Sequence, residues 1–202
     1  MKSNFFKKQT SSTILTLLLS LTILISIAVP VKAIDVNGFF YTPGDILITK
    51  STLANGLTGH AGIVHPDGKN VIHIAGPGKK PNIISISAWL REYPSTKVIR
   101  YKYKVKSTKA ANWARDYYIN GAGKNTNYRI TFNPKDRTYV YCSELVWQAY
   151  YYGADVTFKI PYVSSQGIIT SYLIPNIITP YDFINPHGQS YNGFRTVKTI
   201  KW

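Results

Sequence analysis

The chain contains a single cysteine, Cys142, within the segment TYVYCSELVWQAYYYG at residues 138–153. A lone cysteine cannot form an intramolecular disulfide, so it is a reactive thiol, a partner for an intermolecular bridge, or a buried and inert side chain. Residues 138–141 have strand-like composition and good helix formers begin at Ser143, which predicts Cys142 at the start of a helix. Unpaired N–H groups and the positive end of the helix dipole lower a thiol pKa there. The same amides can bind an oxyanion, so the pattern predicts a nucleophile.

A cysteine nucleophile needs a base, and the histidines available are His60, His65, His73 and His187. Residues 59–64 (GHAGIV) and 71–75 (VIHIA) flank the turn-forming stretch HPDGKN, which predicts a β-hairpin. With an even number of loop residues, His60 lies opposite or diagonal to His73 on one face, with Cβ atoms about 5 to 8 Å apart. His65 would then point to the other face. We therefore predict His60 as the base and His73 as the group that orients it, whereas an odd-length loop would separate them.

The histidines allow two other interpretations. His73 could be a core side chain bonded to a backbone carbonyl, and for that residue the two interpretations stay open. A zinc site is not predicted, because the three nearby histidines alternate across faces and no carboxylate or second thiol accompanies them. We thus expect a Cys–His hydrolase with no metal.

The remaining elements indicate the class of fold. Residues 45–48 follow a Pro-Gly turn and form a predicted strand, and residues 97–105 alternate as a half-buried strand does. Helices are predicted over residues 108–120 and 143–152, with Leu145, Val146, Ala149 and Tyr150 facing the core. Residues 121–137 are expected to be irregular, and the proline-containing tail to be mostly loops. This order predicts one mixed α+β domain with a mainly antiparallel sheet.

The N-terminus is typical of an export signal. Lys2, Lys7 and Lys8 precede an apolar run of 16 residues at 14–29, and small residues in Val-Lys-Ala end at Ala33. At ~1.5 Å per residue the run spans ~24 Å, less than the ~30 Å hydrocarbon core of a bilayer. We predict a signal peptide at 1–33 and a mature domain at 34–202, secreted or associated with the cell wall. An uncleaved membrane anchor is the alternative.

The charge indicates an anionic partner. The formal net charge is +15, and removing the four lysines of the predicted signal leaves +11. Such a charge favours nucleic acid, anionic lipid or phosphate-rich wall polymers. Export argues against nucleic acid, so we expect peptidoglycan or another anionic envelope polymer, with lipid as a further possibility and the oligomeric state open.

Three blocks resemble the NlpC-type papain-like hydrolases. They are PGDILI at residues 43–48, GHAGIVHPDGKNVIHIAG at 59–76 and YCSELVWQAYYYGADV at 141–156. The histidine hairpin precedes the cysteine helix here, which is the reverse of the ordinary family and resembles its circularly permuted, YiiX/YebB-like branch. The predicted helix at 108–120 and ITPYDF at 178–183 are also similar to that branch.

The resemblance implies a permuted papain-like fold without metal or organic cofactor. It implies Cys142 as nucleophile, His60 as base and His73 in the third position, where this branch often has a glutamate. The implied activity is that of an exported cysteine hydrolase cleaving amide bonds, most naturally in peptidoglycan stem peptides. One alternative is a lipid-directed acyl hydrolase or acyltransferase, with aromatics at residues 150–152 lining an acyl site. Another is a wall-binding protein without catalysis.

Overall fold

The computed structural model describes residues 35–36, 38–51 and 59–202. The predicted signal peptide at 1–33 lies outside the described residues. The strands are β1 Asp35–Val36, β2 Phe39–Phe40, β3 Ile46–Thr49, β4 His60–Val64, β5 Asn70–His73, β6 Asn82–Ser85, β7 Thr96–Tyr101, β8 Asn127–Tyr128, β9 Tyr139–Val140, β10 Ile160–Val163, β11 Ile169–Leu173 and β12 Phe194–Ile200. The α-helices are α1 Ile86–Glu92, α2 Lys104–Ala114, α3 Cys142–Ala154 and α4 Pro186–Asn192. Within these residues, no helix is long and apolar enough to cross a membrane.

A six-stranded sheet in the order β12-β7-β3-β4-β5-β6 forms the centre of the domain. Every neighbouring pair in it is antiparallel. The predicted α+β class with a mainly antiparallel sheet is therefore confirmed. The predicted histidine hairpin is also present, because β4 and β5 pair through Ile63 with Ile72 and Val64 with Val71.

Each face of the sheet supports its own apolar cluster. Side chains alternate between the faces of a strand, so Ile46 and Ile48 join one cluster while Leu47 joins the other. The first cluster packs against α3, whose residues Leu145 and Val146 are fully buried. The second cluster contains Trp89 of α1. The sheet is thus covered by α3 on one side and by α1 on the other.

The C-terminal tail is more regular than its prolines predict. Residues 160–173 form the β10–β11 hairpin, and β12 extends the main sheet by pairing with β7. The prediction of mostly loops was wrong here, because the prolines stand at element starts and at strand edges, where no backbone N–H is needed. Pro186, for example, occupies the first turn of α4.

Several elements begin or end at other residues than the sequence predicts. The helix predicted at 108–120 begins at Lys104 and continues after Ala114 as a π-helical turn, Arg115–Ile119. Residues 121–137, expected to be irregular, include a 3₁₀ turn at Ala122–Asn125 and strand β8, which pairs parallel with β9. The sequence pattern missed β6 and α1 altogether, since β6 is a short and mostly exposed edge strand running straight into a seven-residue helix.

Candidate active site

Cys142 is the first residue of α3, as the composition predicts. The preceding residue, Tyr141, is extended (φ −121°, ψ 172°) and serves as the N-cap. The sulfur accepts a hydrogen bond from the backbone N–H of Ala61 in β4. Odd-numbered residues of β4 direct their N–H groups towards β5, as His65 does to the carbonyl of Asn70. Since the β4–β5 ladder stops at Ile63, the Ala61 N–H has no strand partner and is free for the sulfur.

The thiol pKa differs in direction from the prediction. Burial raises the pKa of Cys142 above its usual range, although hydrogen bonds from Ala61, from Ser143 and from its own N–H act to lower it. The side chain is only 5% exposed. Desolvation of the charged form outweighs the first-turn amides, so the resting state is a thiol rather than a thiolate. The predicted lowering of the pKa was wrong for this reason.

His60 and His73 form a hydrogen-bonded pair. The distance from His60 Nε2 to His73 Nδ1 is 2.9 Å. The register that pairs Ile63 with Ile72 puts the two histidines diagonally on one face, as the even-loop alternative predicts. The His60 ring stacks on Trp89 with centroids 5.2 Å apart, and the Tyr93 ring lies 5.1 Å from it. Aromatic packing therefore fixes the orientation of the base.

Both imidazoles are neutral at pH 7. Burial, followed by the proximity of His73, lowers the pKa of His60 to about 3. Burial lowers the pKa of His73 to about 4, against an opposing effect of Glu92. If His60 is to accept a proton at Nδ1, its Nε2–H must donate to His73 Nδ1, and the proton of His73 then lies on Nε2. That Nε2 atom is buried and has no hydrogen-bond partner among the described residues.

A cleft of about 1250 Å³ contains His60 and Cys142 in its wall. Most of its other lining side chains are aromatic or aliphatic, among them Tyr93, Tyr128, Ile130, Tyr141, Ile177 and Ile178. The aromatics at residues 150–152 do not line this cleft. Tyr150 is almost fully buried and donates its hydroxyl proton to the Gly44 carbonyl at 2.7 Å, so the predicted acyl site at those residues was wrong.

The other two histidines lie elsewhere. His65 belongs to the hairpin turn, where its Nδ1 is 3.0 Å from Asp67. His187 lies in α4, and neither histidine lines the cleft. The structure thus places Cys142 and His60 in the wall of one cleft and bonds His60 to His73, while the catalytic role of the three residues stays a prediction. Among the residues with described positions, no group of three or more His, Cys, Asp or Glu side chains could hold a metal.

Glu144 is a buried carboxyl group close to the cysteine that the sequence pattern did not single out. Its Oε2 accepts the backbone N–H of Tyr141 at 3.4 Å, and its Oε1 accepts the Thr131 hydroxyl at 2.5 Å. Burial raises the pKa of Glu144 to about 8, against these two hydrogen bonds. An acidic residue at the third position of a helix is a known capping signal, and it could have indicated this contact.

Comparisons with known proteins add a family and a fold. A family model described as "Lipoprotein N-acylation protein LnsA-like" matches residues 7–193. A protein of Bacillus thuringiensis described as an uncharacterized 30.3 kDa protein is 31% identical over 164 residues, which cover 77% of this chain. Those residues cover 56% of the relative, so the chain spans about half the length of that relative.

A solved structure is also similar. It is the crystal structure of the metalloprotein yiiX from Escherichia coli O157:H7 (DUF1105), with a TM-score of 0.54 at 16% identity. The alignment covers 79% of this chain and 97% of that one. The likeness confirms the YiiX-like fold, and the fold alone.

Proposed function

The chain belongs to the LnsA-like family of lipoprotein N-acylation proteins, and from that premise we propose that it transfers acyl groups through a thioester on Cys142. Family and fold support an enzyme that acts on acyl or amide groups. One observation carries the finer proposal: Cys142 and His60 share a large, mostly apolar cleft. Its volume exceeds the ~300–1,000 Å³ of usual small-molecule sites and suits a long acyl chain.

The first step loads the thiol. His60 Nδ1 takes the proton as Sγ attacks the ester carbonyl of an acyl donor, and the electron pair of the C=O bond moves onto oxygen. The N–H of Ala61, and that of Cys142 itself at the start of α3, are available to stabilise the negative oxygen. As the tetrahedral intermediate collapses, the alcohol leaves with the proton from His60, and an S-acyl thioester remains.

The second step unloads it. A primary amine attacks the thioester carbonyl, His60 takes a proton from the nitrogen, and the thiol leaves as an amide forms. His73 accepts the His60 Nε2–H bond throughout and so maintains the tautomer that the base needs. Water in place of the amine would give hydrolysis. An apolar cleft favours the acyl chain and limits water near the thioester.

The test supplies both substrates to the full chain. Phospholipid vesicles are mixed with a lipopeptide that has a free N-terminal amine, and mass spectrometry follows the lipopeptide and the protein. We expect the lipopeptide to gain one acyl mass and the protein to show a transient adduct on Cys142 that hydroxylamine removes. Cys142→Ala should abolish both signals. His60→Ala should reduce the rate by about 10²–10⁴-fold, whereas His187→Ala, outside the cleft, should leave it near that of the wild type.

A second candidate is the hydrolysis of amide bonds in peptidoglycan stem peptides by an exported protein. The net charge of +15 favours it, because wall polymers are anionic. The same Cys142 and His60 would act, with water as the final acceptor. If the protein releases stem-peptide fragments from purified peptidoglycan and transfers no acyl group from vesicles, its function is this hydrolysis and not acyl transfer.

A further inference from the structure

The β10–β11 hairpin presents an uncharged apolar surface. It forms a two-stranded sheet separate from the six-stranded one, and residues 160–176 include no Asp, Glu, Lys or Arg. Four of its large apolar side chains are exposed, with Tyr162 56%, Val163 51%, Ile168 64% and Leu173 48% accessible, and Ile174 directly after it is 37% accessible. Contiguous exposed apolar side chains on a small protein are a signature of an interaction site.

The hairpin is attached firmly at its base while its tip is free. Tyr172 stacks on Tyr191 of α4 with ring centroids 3.8 Å apart, and Ile160 packs against the main core. At the tip, Ser164 donates its N–H to the Ile168 carbonyl at 2.8 Å, closing a turn that contains Gly167. Its conformation is therefore held from within, and the described part of the chain leaves Val163 and Ile168 uncovered.

The exposed surface is continuous with the cleft. Only three residues separate the end of β11 from Ile177 and Ile178, which line the cleft beside Cys142. Across the cleft, Ile130 is both a lining residue and 55% exposed, and Phe132 two residues later is 74% exposed.

Three of the segments that border the cleft contain basic residues and no acidic ones. Residues 75–81, 124–135 and 159–181 include no Asp or Glu. They contain six basic residues, which are Lys79, Lys80, Lys124, Arg129, Lys135 and Lys159. Lys80 Nζ binds the Asn125 carbonyl at 2.5 Å and the Asn127 side chain at 2.6 Å, which ties two of these segments together. The rim thus combines exposed apolar side chains with six basic residues, and Glu92 is the acidic residue among the cleft-lining side chains.

We propose that this rim, the β10–β11 hairpin together with residues 130–132, inserts into the interface of an anionic phospholipid bilayer. Apolar side chains enter the acyl region while basic ones contact the headgroups, as amphipathic interfacial elements do. The inference rests on the proposed function, since it supplies the route by which a lipid acyl donor reaches Cys142. It commits to a bilayer rather than a protein because the exposed hairpin is itself uncharged, while the three segments named above carry basic residues and no acidic ones.

The test places a fluorescent label at one chosen position, which is possible because the sequence contains a single cysteine. In the full chain, Cys142→Ala removes the only native thiol, and Ile168→Cys then adds one at the hairpin tip for an environment-sensitive nitrobenzoxadiazole label. The matched control is Val105→Cys in the same background, because Val105 is also exposed (70%) but lies in α2. We expect vesicles containing phosphatidylglycerol to raise and blue-shift the emission at position 168. The signal at position 105 should not change, and neutral phosphatidylcholine vesicles should act weakly.

A charge variant tests the contribution of the basic side chains separately. Each basic side chain near an anionic surface contributes about fivefold in partitioning. Lys79→Gln should therefore weaken the response at position 168 by about that factor. Equal responses at positions 168 and 105, or no response at 168, would overturn the proposal. A blue shift at 168 that follows protein concentration without vesicles would assign the surface to a second copy of the chain and would overturn it as well.

These variants lack the thiol, so the result is independent of acyl transfer. Ile168→Asp with Cys142 intact connects the two. It should lose activity on vesicle lipids while retaining activity on a soluble short-chain acyl ester, since position 168 does not line the cleft. Loss on both substrates would contradict the docking role, and a wild type that binds vesicles without transferring acyl groups would contradict the proposed function alone.

Discussion

At the scale of single residues, opposing effects act on one sulfur atom. Burial raises the pKa of Cys142 while amide donors at the helix start and in β4 lower it, and burial prevails. His60 is neutral for the same reason. The pair therefore rests as thiol and imidazole, not as an ion pair. Such a site needs the base during the attack itself, and His60 is held for that purpose by His73, Trp89 and Tyr93.

The resting thiol predicts a particular pH dependence for alkylation. Only the thiolate reacts with iodoacetamide, and a raised pKa means that the thiolate appears only above the usual range. The alkylation rate of the folded protein should climb steadily with pH, with no plateau near pH 7. The urea-unfolded chain should titrate near pH 8.5 as its control. A fast rate independent of pH from pH 6 upward would show a stabilised thiolate instead.

His73 should act through His60 rather than on the substrate. His73→Ala removes the acceptor of the His60 Nε2–H, and a lost buried hydrogen bond of about 1–3 kcal/mol corresponds to a fall in kcat of about 5- to 150-fold. KM should change little.

The pH profile separates this role from a structural one. His73→Glu keeps the acceptor and adds a negative charge, which raises the pKa of His60 from its value of about 3. Activity should be retained, and its acid limb should move towards neutral pH. An unchanged acid limb in His73→Glu would mean that His73 does not position the base.

At the scale of elements, hydrophobic periodicity and turn-forming residues predicted the features that depend on local sequence. The hairpin that pairs His60 with His73 follows from the turn HPDGKN and the spacing of two apolar runs. The start of α3 follows from the change in composition at Cys142. The hydrogen bond from the Ala61 N–H to Sγ depends on where the β4–β5 pairing ends. That end point is set by tertiary structure and cannot be predicted from the spacing of residues in the sequence. Strand β12 was missed because an edge strand with one solvated face has no strong apolar pattern.

Burial of α3 in the folded domain reverses the predicted direction of the shift in the thiol pKa. Glu144 and Gln148, which an isolated amphipathic helix would expose, are fully buried here. The composition of the helix alone shows strong formers around a cysteine, and it does not show that α2 and the sheet enclose them. The prediction of position was therefore right and the prediction of electrostatics was wrong.

The capping carboxyl of α3 should make stability depend on pH. Glu144 has a folded pKa of about 8 against a usual 4.5. The folded state thus keeps a proton that the unfolded chain loses, so this contribution is complete below pH 4.5 and is lost as pH rises to 8. The slope can reach about 1.4 kcal/mol per pH unit between those values.

Glu144→Gln isolates that effect. The amide oxygen can still accept from Thr131 and from the Tyr141 N–H, and the group no longer titrates. Between pH 6.5 and 8 the free energy of unfolding, measured in urea, should fall for the wild type relative to the variant. Near pH 6.5 His60 and His73 are protonated in part in the unfolded chain only, which adds a rising slope, but this slope is the same in both proteins and cancels in their difference. Parallel curves for the two proteins would assign the slope to another group.

At the scale of the whole molecule, the distribution of charge matters more than its total. The formal net charge is +15, and part of it lies on segments bordering the cleft that have no acidic residue. Lys80 is fixed by two hydrogen bonds, whereas Lys79 and Lys124 are exposed without an ion pair among the described residues. Under either proposed function, these lysines would contact an anionic surface beside the cleft, whether a membrane or a wall polymer carries that charge.

This arrangement predicts how the chain adsorbs to anionic envelope polymer. Binding should weaken sharply as salt rises past about 0.15 M, where the Debye length falls below about 8 Å. Two double variants separate the effect of where the charge lies from the effect of the total charge. One combines Lys79→Glu with Lys124→Glu, and the other combines Lys104→Glu with Lys109→Glu. Each lowers the formal net charge from +15 to +11. The first pair lies in two segments that contribute residues to the cleft wall, and the second pair lies on α2. Adsorption to purified wall polymer, measured from 0.05 M to 0.5 M salt, should fall more for the first pair, because the field of a surface charge decays over roughly 10 Å at 0.1 M salt. Equal losses would show that total charge alone governs adsorption, and binding insensitive to salt would point to a specific pocket.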